Sequence, residues 1–168
     1  MEKWKLYDEN NQTLGKVVNR GDSLEEGEYY RVVGAVILNQ EGKILIPRRS
    51  KEKESYPDFL EITCGSLHPD EEPTRGMQRE IQEETGLKVE KEDLDFLGIL
   101  KQKNKFTYMY LLQVDAKDED LVLQEEEVAE AAFYSKEDFL KIFSSQGYAP
   151  PMKERLKWAY PHYIDKLK

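Results

Sequence analysis

The sequence predicts an α/β fold, in which helices cover both faces of a mixed β-sheet to form an α/β/α sandwich. Three observations point to it. Residues 30–38 form a nearly continuous apolar run rich in β-branched side chains, which is typical of a strand buried on both faces. Residues 73–85 carry the start and stop signals of a helix. Two more segments with helical character, 136–143 and 152–167, follow the predicted strands.

The N-terminal segment is predicted to be a β-hairpin that extends the domain. Residues 3–7 alternate polar and apolar side chains, and residues 13–19 return as the partner strand. Four turn-forming residues, Asp-Glu-Asn-Asn, follow the first strand. We therefore expect a single domain with a hairpin extension at 1–29, a core at 30–145 and a C-terminal helix at 146–168.

The remaining strands of the core are predicted from short apolar runs between turn signals. Residues 43–47 continue from the first core strand after a turn, and residues 59–63 form another short strand. Residues 94–100 and 106–114 are expected to complete the sheet.

Two helices are predicted after the sheet. Ser135 is expected to cap a helix over 136–143, with Asp138 completing an approximate capping box. Apolar residues recur at helical spacing through 152–167, which indicates a last helix with one buried face. Pro161 falls inside that segment and is expected to kink or split it.

Composition and charge exclude several classes of function. The 168 residues carry a formal net charge of −9, which argues against a general nucleic-acid binder because such proteins need a basic surface. Cys64 is the only cysteine, so no intrachain disulfide can form. No apolar run approaches the length of a membrane span, and the charged N-terminus lacks the apolar core of a signal peptide. We therefore expect a cytoplasmic protein without a membrane partner.

The predicted helix at 73–85 carries an unusual concentration of carboxylates. Pro73 suits its first turn, where the missing N–H costs nothing, and Gly86 suits the left-handed position after its end. Glu80, Glu83 and Glu84 have the spacing that places side chains on one helical face. Three like charges on one face repel unless a cation lies among them, and hard divalent cations prefer oxygen ligands. This face is therefore a candidate metal site.

Residues 65–87, GSLHPDEEPTRGMQREIQEETGL, match the box of the Nudix hydrolases at every defined position. That box reads G, five residues, E, seven residues, and then R-E-apolar-x-E-E-x-G-apolar. The matching residues are Gly65, Glu71, Arg79, Glu80, Ile81, Glu83, Glu84, Gly86 and Leu87. The chain thus resembles the Nudix (MutT-like) hydrolases, over about residues 30–145. The segments that precede the box, LYDENNQTLGKVVNRG and GEYYRVV, also resemble the branch of the superfamily near the isopentenyl-diphosphate isomerases.

The resemblance implies a metal site and its ligands. The glutamates matching Glu80, Glu83 and Glu84 bind divalent cations in the family, usually Mg²⁺, with Mn²⁺ as the alternative. Arg79 is implied to be buried and paired with a carboxylate of the box. Two further metal contacts are implied in some members: Glu71, which supports the loop, and the backbone carbonyl of Cys64.

The resemblance also implies a reaction, which is the attack of water on a phosphorus of a diphosphate linkage. The partner would be a small-molecule diphosphate of the nucleoside-diphosphate type, and a homodimer is among the implied assemblies. A carboxylate near the metal would remove the proton of the water. We assign this role to Glu80 or Glu83, and Glu127 is a weaker candidate because many members use a glutamate outside the box.

The one clear basic cluster of the sequence consists of Arg48, Arg49, Lys51 and Lys53, of which the first three are candidate substrate contacts. One interpretation is a solvated loop, which is the commoner origin of such a cluster. The other is a set of phosphate contacts for the substrate, which requires these cations to face the carboxylate helix.

Two alternatives to hydrolysis follow from the same resemblance. Cys64 precedes the box glycine, where the isopentenyl-diphosphate isomerases place a catalytic cysteine. Those isomerases also need several histidines and a glutamate on a later strand, and the chain has only His68 and His162. Cys64 is therefore interpreted as a small buried thiol. The second alternative is an idle ligand-binding domain, which the complete set of box carboxylates disfavours.

Overall fold

The computed structural model describes residues 1–145 and 147–168, so residue 146, which opens the predicted C-terminal segment, lies outside it. The strands are β1 (Lys3–Tyr7), β2 (Thr13–Asn19), β3 (Tyr30–Asn39), β4 (Ile44–Arg49), β5 (Thr63–Ser66), β6 (Asp95–Gln102), β7 (Lys105–Val114) and β8 (Val128–Tyr134). The α-helices are α1 (Pro73–Thr85), α2 (Lys136–Ser144) and α3 (Pro150–Tyr163). Short 3₁₀ turns lie at 91–93, 118–120 and 164–166.

A mixed six-stranded sheet forms the centre of the fold. Its main order is β6-β7-β3-β4-β8, and β5 pairs with β3 off this path. β3 runs parallel to β7 and antiparallel to β4 and β5. The long apolar run therefore occupies the middle of the sheet, as its sequence predicted.

Side chains of β3 alternate between two apolar cores, one on each face of the sheet. Val33 and Ile37 pack with Met77 of α1, whereas Val36 and Leu38 belong to a second core that contains residues of α2 and α3. The helices thus lie on both sides of the sheet, and the predicted α/β/α arrangement is confirmed. No helix in the described residues is long and apolar enough to cross a membrane.

The predicted N-terminal hairpin is present as a separate two-stranded sheet of β1 and β2. Leu6 packs in a small core with Tyr30 and Val32 at the start of β3. The ring of Trp4 stacks on that of Tyr30, with centroids 3.9 Å apart. These contacts hold the hairpin against the beginning of the central strand.

α1 begins and ends where the sequence predicted. Pro73 occupies its first turn, and the side chain of Glu72 accepts hydrogen bonds from the backbone N–H groups of Thr74 and Arg75. Gly86 has φ of +74°, and its N–H donates to the carbonyl of Gln82. This left-handed position favours glycine, so the helix end is defined by backbone geometry.

Two elements differ from their predicted bounds by more than two residues. The strand expected at 59–63 begins only at Thr63, because the backbone groups of residues 59 and 61 pair with the end of β4 instead. The last helix starts at Pro150 and continues through Pro161 to Tyr163 before a 3₁₀ turn takes over. The proline therefore lies in the last turn of α3, where few further helical hydrogen bonds depend on it.

Candidate active site

A cavity of about 270 Å³ lies beside the N-terminal part of β3 and against α1. Its wall combines residues from distant parts of the sequence: the hairpin, β3, β5, α1, the segment before β8, and α3. Most of the lining is polar or charged, with both signs represented. The site therefore suits a charged ligand better than an apolar one.

Arg79 on α1 organises the carboxylates of the box. Its Nε and Nη2 donate to the two oxygens of Glu71 over 2.8 and 2.9 Å, which is a fork-shaped pair. Its Nη1 donates to Glu80 over 2.7 Å and to Glu83 over 3.1 Å. Its Nη2 also reaches the carbonyl of Ser66 over 3.1 Å. One guanidinium thus ties three glutamates to the strand that leads into the helix.

Glu80 and Glu84 are buried carboxylates, whereas half of the Glu83 side chain is exposed. Burial raises the pKa of Glu80 to about 7, although the positive charge of Arg79 opposes it. Burial also raises the pKa of Glu84, and the negative charges of Glu61 and Glu80 add to the effect. Without a bound cation, these two buried carboxyl groups therefore hold a proton more readily than an exposed glutamate does.

These carboxylates fit a hard divalent cation. Oε2 of Glu84 is buried and has no hydrogen-bond partner, so an oxygen donor points into the site unused. Within the described residues no three acidic, imidazole or thiol side chains are yet gathered as a complete ligand set. Glu80 and Glu83 instead form ion pairs with Arg79. An all-oxygen donor set is the chemistry that Mg²⁺ and Mn²⁺ select.

Arg49 and Glu61 form a buried ion pair next to this cluster. Nη1 of Arg49 donates to Glu61 over 2.6 Å, and its Nε and Nη2 donate to the carbonyl of Ser55. Burial raises the pKa of Glu61 despite the opposing charge of Arg49. Glu61 was not predicted as a site residue, because it lies outside the box in a segment predicted only as a strand.

The structure separates the members of the basic cluster. Arg49 lines the cavity, as does Lys53, whose Nζ pairs with Glu127. Arg48 points elsewhere and pairs with Glu130 on the partner strand β8 over 2.6 Å, and it does not line the cavity. Lys51 is exposed and is likewise absent from the lining. Arg49 is thus placed where a phosphate contact requires it, and Glu127 also faces the cavity.

The thiol of Cys64 lies in an apolar contact with α3. Its Sγ is 3.8 Å from Sδ of Met152. Burial raises the pKa of the Cys64 thiol, and the charge of Glu61 raises it further. The neutral thiol is therefore strongly favoured near neutral pH, as expected for a structural cysteine.

The hairpin and α3 supply cavity residues that the sequence did not suggest. Arg20 follows β2 and pairs with Glu2, and both line the cavity. Arg155 of α3 also lines it, although its side chain is 1% exposed. Neither arginine belongs to a recognisable motif, and only the folded chain brings them to the carboxylates of α1.

Comparison with known proteins gives the same family as the box. The NUDIX domain family matches residues 28–158. An uncharacterized Nudix hydrolase of Listeria monocytogenes is 33% identical over 151 residues, which cover 89% of each chain. Human isopentenyl-diphosphate delta-isomerase 2 is 29% identical over 118 residues, covering 60% of this chain and 52% of the human protein.

The fold also has a counterpart among solved structures. A crystal structure from Deinococcus radiodurans superimposes with a TM-score of 0.78 at 23% sequence identity, and the match covers 95% of this chain and 99% of the other. This likeness concerns the fold alone. The match to the NUDIX domain and the identity to the Listeria protein show that the chain belongs to the Nudix hydrolase family.

Proposed function

We propose that this Nudix hydrolase cleaves a diphosphate linkage in a nucleoside-diphosphate-type compound and depends on Mg²⁺, with Mn²⁺ as a substitute. One observation carries the proposal. Glu80, Glu83 and Glu84 all line one cavity, and the buried Oε2 of Glu84 has no partner there. This arrangement supports binding of a divalent cation at α1.

The bound cation would neutralise phosphate charge and lower the pKa of an attacking water. Glu80, Glu83 and Glu84 would hold it, while Arg79 orients Glu71 and Glu80 from behind. Glu80 and Glu83 are the two candidates for the general base. Without a cation the pKa of Glu80 is raised to about 7 by burial, and a cation bound at this carboxylate would lower it again.

The cations of the cavity would take part in binding the substrate. Arg49 and Lys53 line the cavity across from α1, each next to a glutamate of this chain. A diphosphate that enters would compete with those glutamates for the same donors. Arg49 has the planar fork that matches phosphate oxygens, and Lys53 supplies a point charge.

The test is a panel of diphosphate compounds, assayed for release of phosphate or nucleoside monophosphate with and without Mg²⁺. Glu83→Gln should abolish the Mg²⁺-dependent turnover and leave the melting temperature unchanged, because this side chain is half exposed. Glu130→Gln, an exposed carboxylate outside the cavity, is the matched control and should behave as wild type. Full turnover in Glu83→Gln would refute the proposal that α1 binds the catalytic cation.

Isomerisation of isopentenyl diphosphate is the second candidate, and one observation favours it. Cys64 lines the cavity directly before Gly65, and an isomerase is among the relatives. Against it, burial raises the pKa of the thiol, and the cavity contains a single histidine, His68, within the described residues.

A further inference from the structure

Arg155 is the most deeply buried cation of the cavity wall, with 1% of its surface exposed. Its Nε donates to the side-chain oxygen of Gln102 over 2.9 Å. Its Nη1 contacts the thioether sulfur of Met152 at 3.2 Å, which is a weak acceptor. Within the described residues neither a carboxylate nor a backbone carbonyl accepts from its guanidinium. Within the described residues this positive charge is thus buried without a salt bridge, although it acts at longer range on the buried Glu61.

The other arginines of the cavity are held differently. Arg20, Arg49 and Arg79 each pair with at least one glutamate. Burying an ion without a partner is costly, and folded proteins normally pair such a group or leave it in water. A charge kept in this unfavourable state is expected where a ligand supplies the missing partner.

Arg155 is also held in one orientation. Gln102 accepts from Arg155 through Oε1 and from Thr107 over 2.7 Å through the same atom. The amide nitrogen of Gln102 donates to the carbonyl of Pro151 and to Glu154, so the amide cannot turn without losing both bonds. The guanidinium is therefore preorganised, which reduces the entropy lost when it binds a ligand.

Arg155 lines the same cavity as the box residues of α1. Met152, which contacts Arg155, also contacts Cys64, and Cys64 leads into Gly65 beside the Glu80 carboxylate. A single ligand could therefore touch both α1 and α3.

We propose that Arg155 is a substrate-binding residue, which pairs with a phosphoryl oxygen of the diphosphate on the side of the cavity formed by α3. The identity of the ligand rests on the proposed function. The presence of an anion site does not rest on the proposed function, because this site is inferred from the burial of Arg155 and its lack of a salt bridge within the described residues. Gln102 is the positioning residue that holds this arginine.

Inorganic pyrophosphate is the probe, titrated into the full chain by calorimetry in the presence of a chelator. Arg155→Met should weaken its binding at least about tenfold, the loss expected for one charged hydrogen bond. The melting temperature of this variant should be unchanged or higher, because a buried unpaired charge is replaced by an apolar side chain of similar length. A purely structural arginine would instead leave binding intact and lower the melting temperature.

Lys157→Met is the matched control, since it removes one positive charge from an exposed position of the same helix. Its pyrophosphate affinity should stay within about twofold of wild type, because exposed charges are screened. If Arg155→Met does not fold, Arg155→Lys keeps the charge but loses the planar fork, and should still weaken binding about threefold or more.

Equal pyrophosphate affinity in wild type and the Arg155 variants would overturn the proposal, and so would a wild-type chain that binds no pyrophosphate. The proposed hydrolase function fails separately. A wild-type chain that binds pyrophosphate through Arg155 but cleaves no compound of the panel would refute hydrolysis and retain the anion site.

Discussion

The backbone of Gly65 and the carboxylate of Glu80 are in direct contact. A Cβ atom added at Gly65 would lie 2.0 Å from both Cδ and Oε1 of Glu80. No side chain fits there unless Glu80 moves, so the first glycine of the box fixes the position of a carboxylate fifteen residues later. Glycine is required here because of the space that Glu80 occupies, and not because of a left-handed backbone conformation.

Gly65→Ala should therefore damage activity more than stability. The added methyl group displaces the flexible end of Glu80, and a shift of about 1 Å in a catalytic group can cost on the order of a hundredfold in rate. We expect kcat/KM to fall at least about tenfold with a nearly unchanged melting temperature. Gly76→Ala is the contrast, since its Cβ would lie 2.2 Å from the packed side chain of Leu67 and should lower the melting temperature. Wild-type turnover in Gly65→Ala would contradict this account.

Arg79→Ala should lower both stability and activity. The change leaves Glu71 and Glu80 without their shared partner. We expect a loss of roughly 3 kcal/mol in the free energy of unfolding, at the low end for breaking a buried pair because Arg79 is partly exposed. Arg48→Ala breaks an exposed pair outside the cavity and should cost no more than about 1 kcal/mol. Denaturant unfolding measures both, and equal losses would be inconsistent with the central place of Arg79.

The raised pKa of Glu80 predicts how stability changes with pH in the presence of a chelator. Between the usual value of 4.5 and about 7, the folded chain binds a proton at Glu80 that the unfolded chain has released. This contribution is complete below 4.5 and is lost as the pH rises through about 7. Glu80→Gln resembles the protonated form, so its stability relative to wild type should increase as the pH rises from 5 to 8. A flat curve for Glu80→Gln would argue against the raised pKa.

Cys64→Ala separates hydrolysis from isomerisation. The thiol has a raised pKa and contacts the thioether sulfur of Met152, so its removal should leave hydrolysis nearly unchanged. The same variant is assayed for conversion of isopentenyl diphosphate. Abolition of such a conversion, present in wild type, would establish the isomerase alternative.

Local signals made the box helix and the hairpin predictable. Pro73 and Gly86 mark the ends of α1, and both act through backbone geometry that does not depend on the rest of the fold. Ser135 caps α2 and its side chain accepts from the N–H of Asp138, as the capping pattern indicated. The alternation of polar and apolar residues at 3–7 likewise predicts a strand with one buried face, without information on the rest of the fold.

The contacts between the box and the other walls of the cavity were not predictable, because they depend on pairing between distant segments. Glu61 meets Arg49 only after the chain turns back along β4, and Arg155 reaches β6 through Gln102. Nothing in the spacing of these residues encodes such contacts. Arg48 and Arg49 illustrate the limit: the two neighbours point to opposite sides of one strand, and only the fold decides which one faces the cavity.

Four of the cavity cations, Arg20, Arg49, Lys53 and Arg79, already hold a glutamate of the chain itself. Ligand entry is thus an exchange of partners, and an incoming group gains little unless its oxygens replace a carboxylate in both shape and charge. Chloride is a single atom without oxygens, so it cannot replace the two oxygens of a carboxylate. Chloride should therefore be a poor competitor of the proposed diphosphate at these four cations.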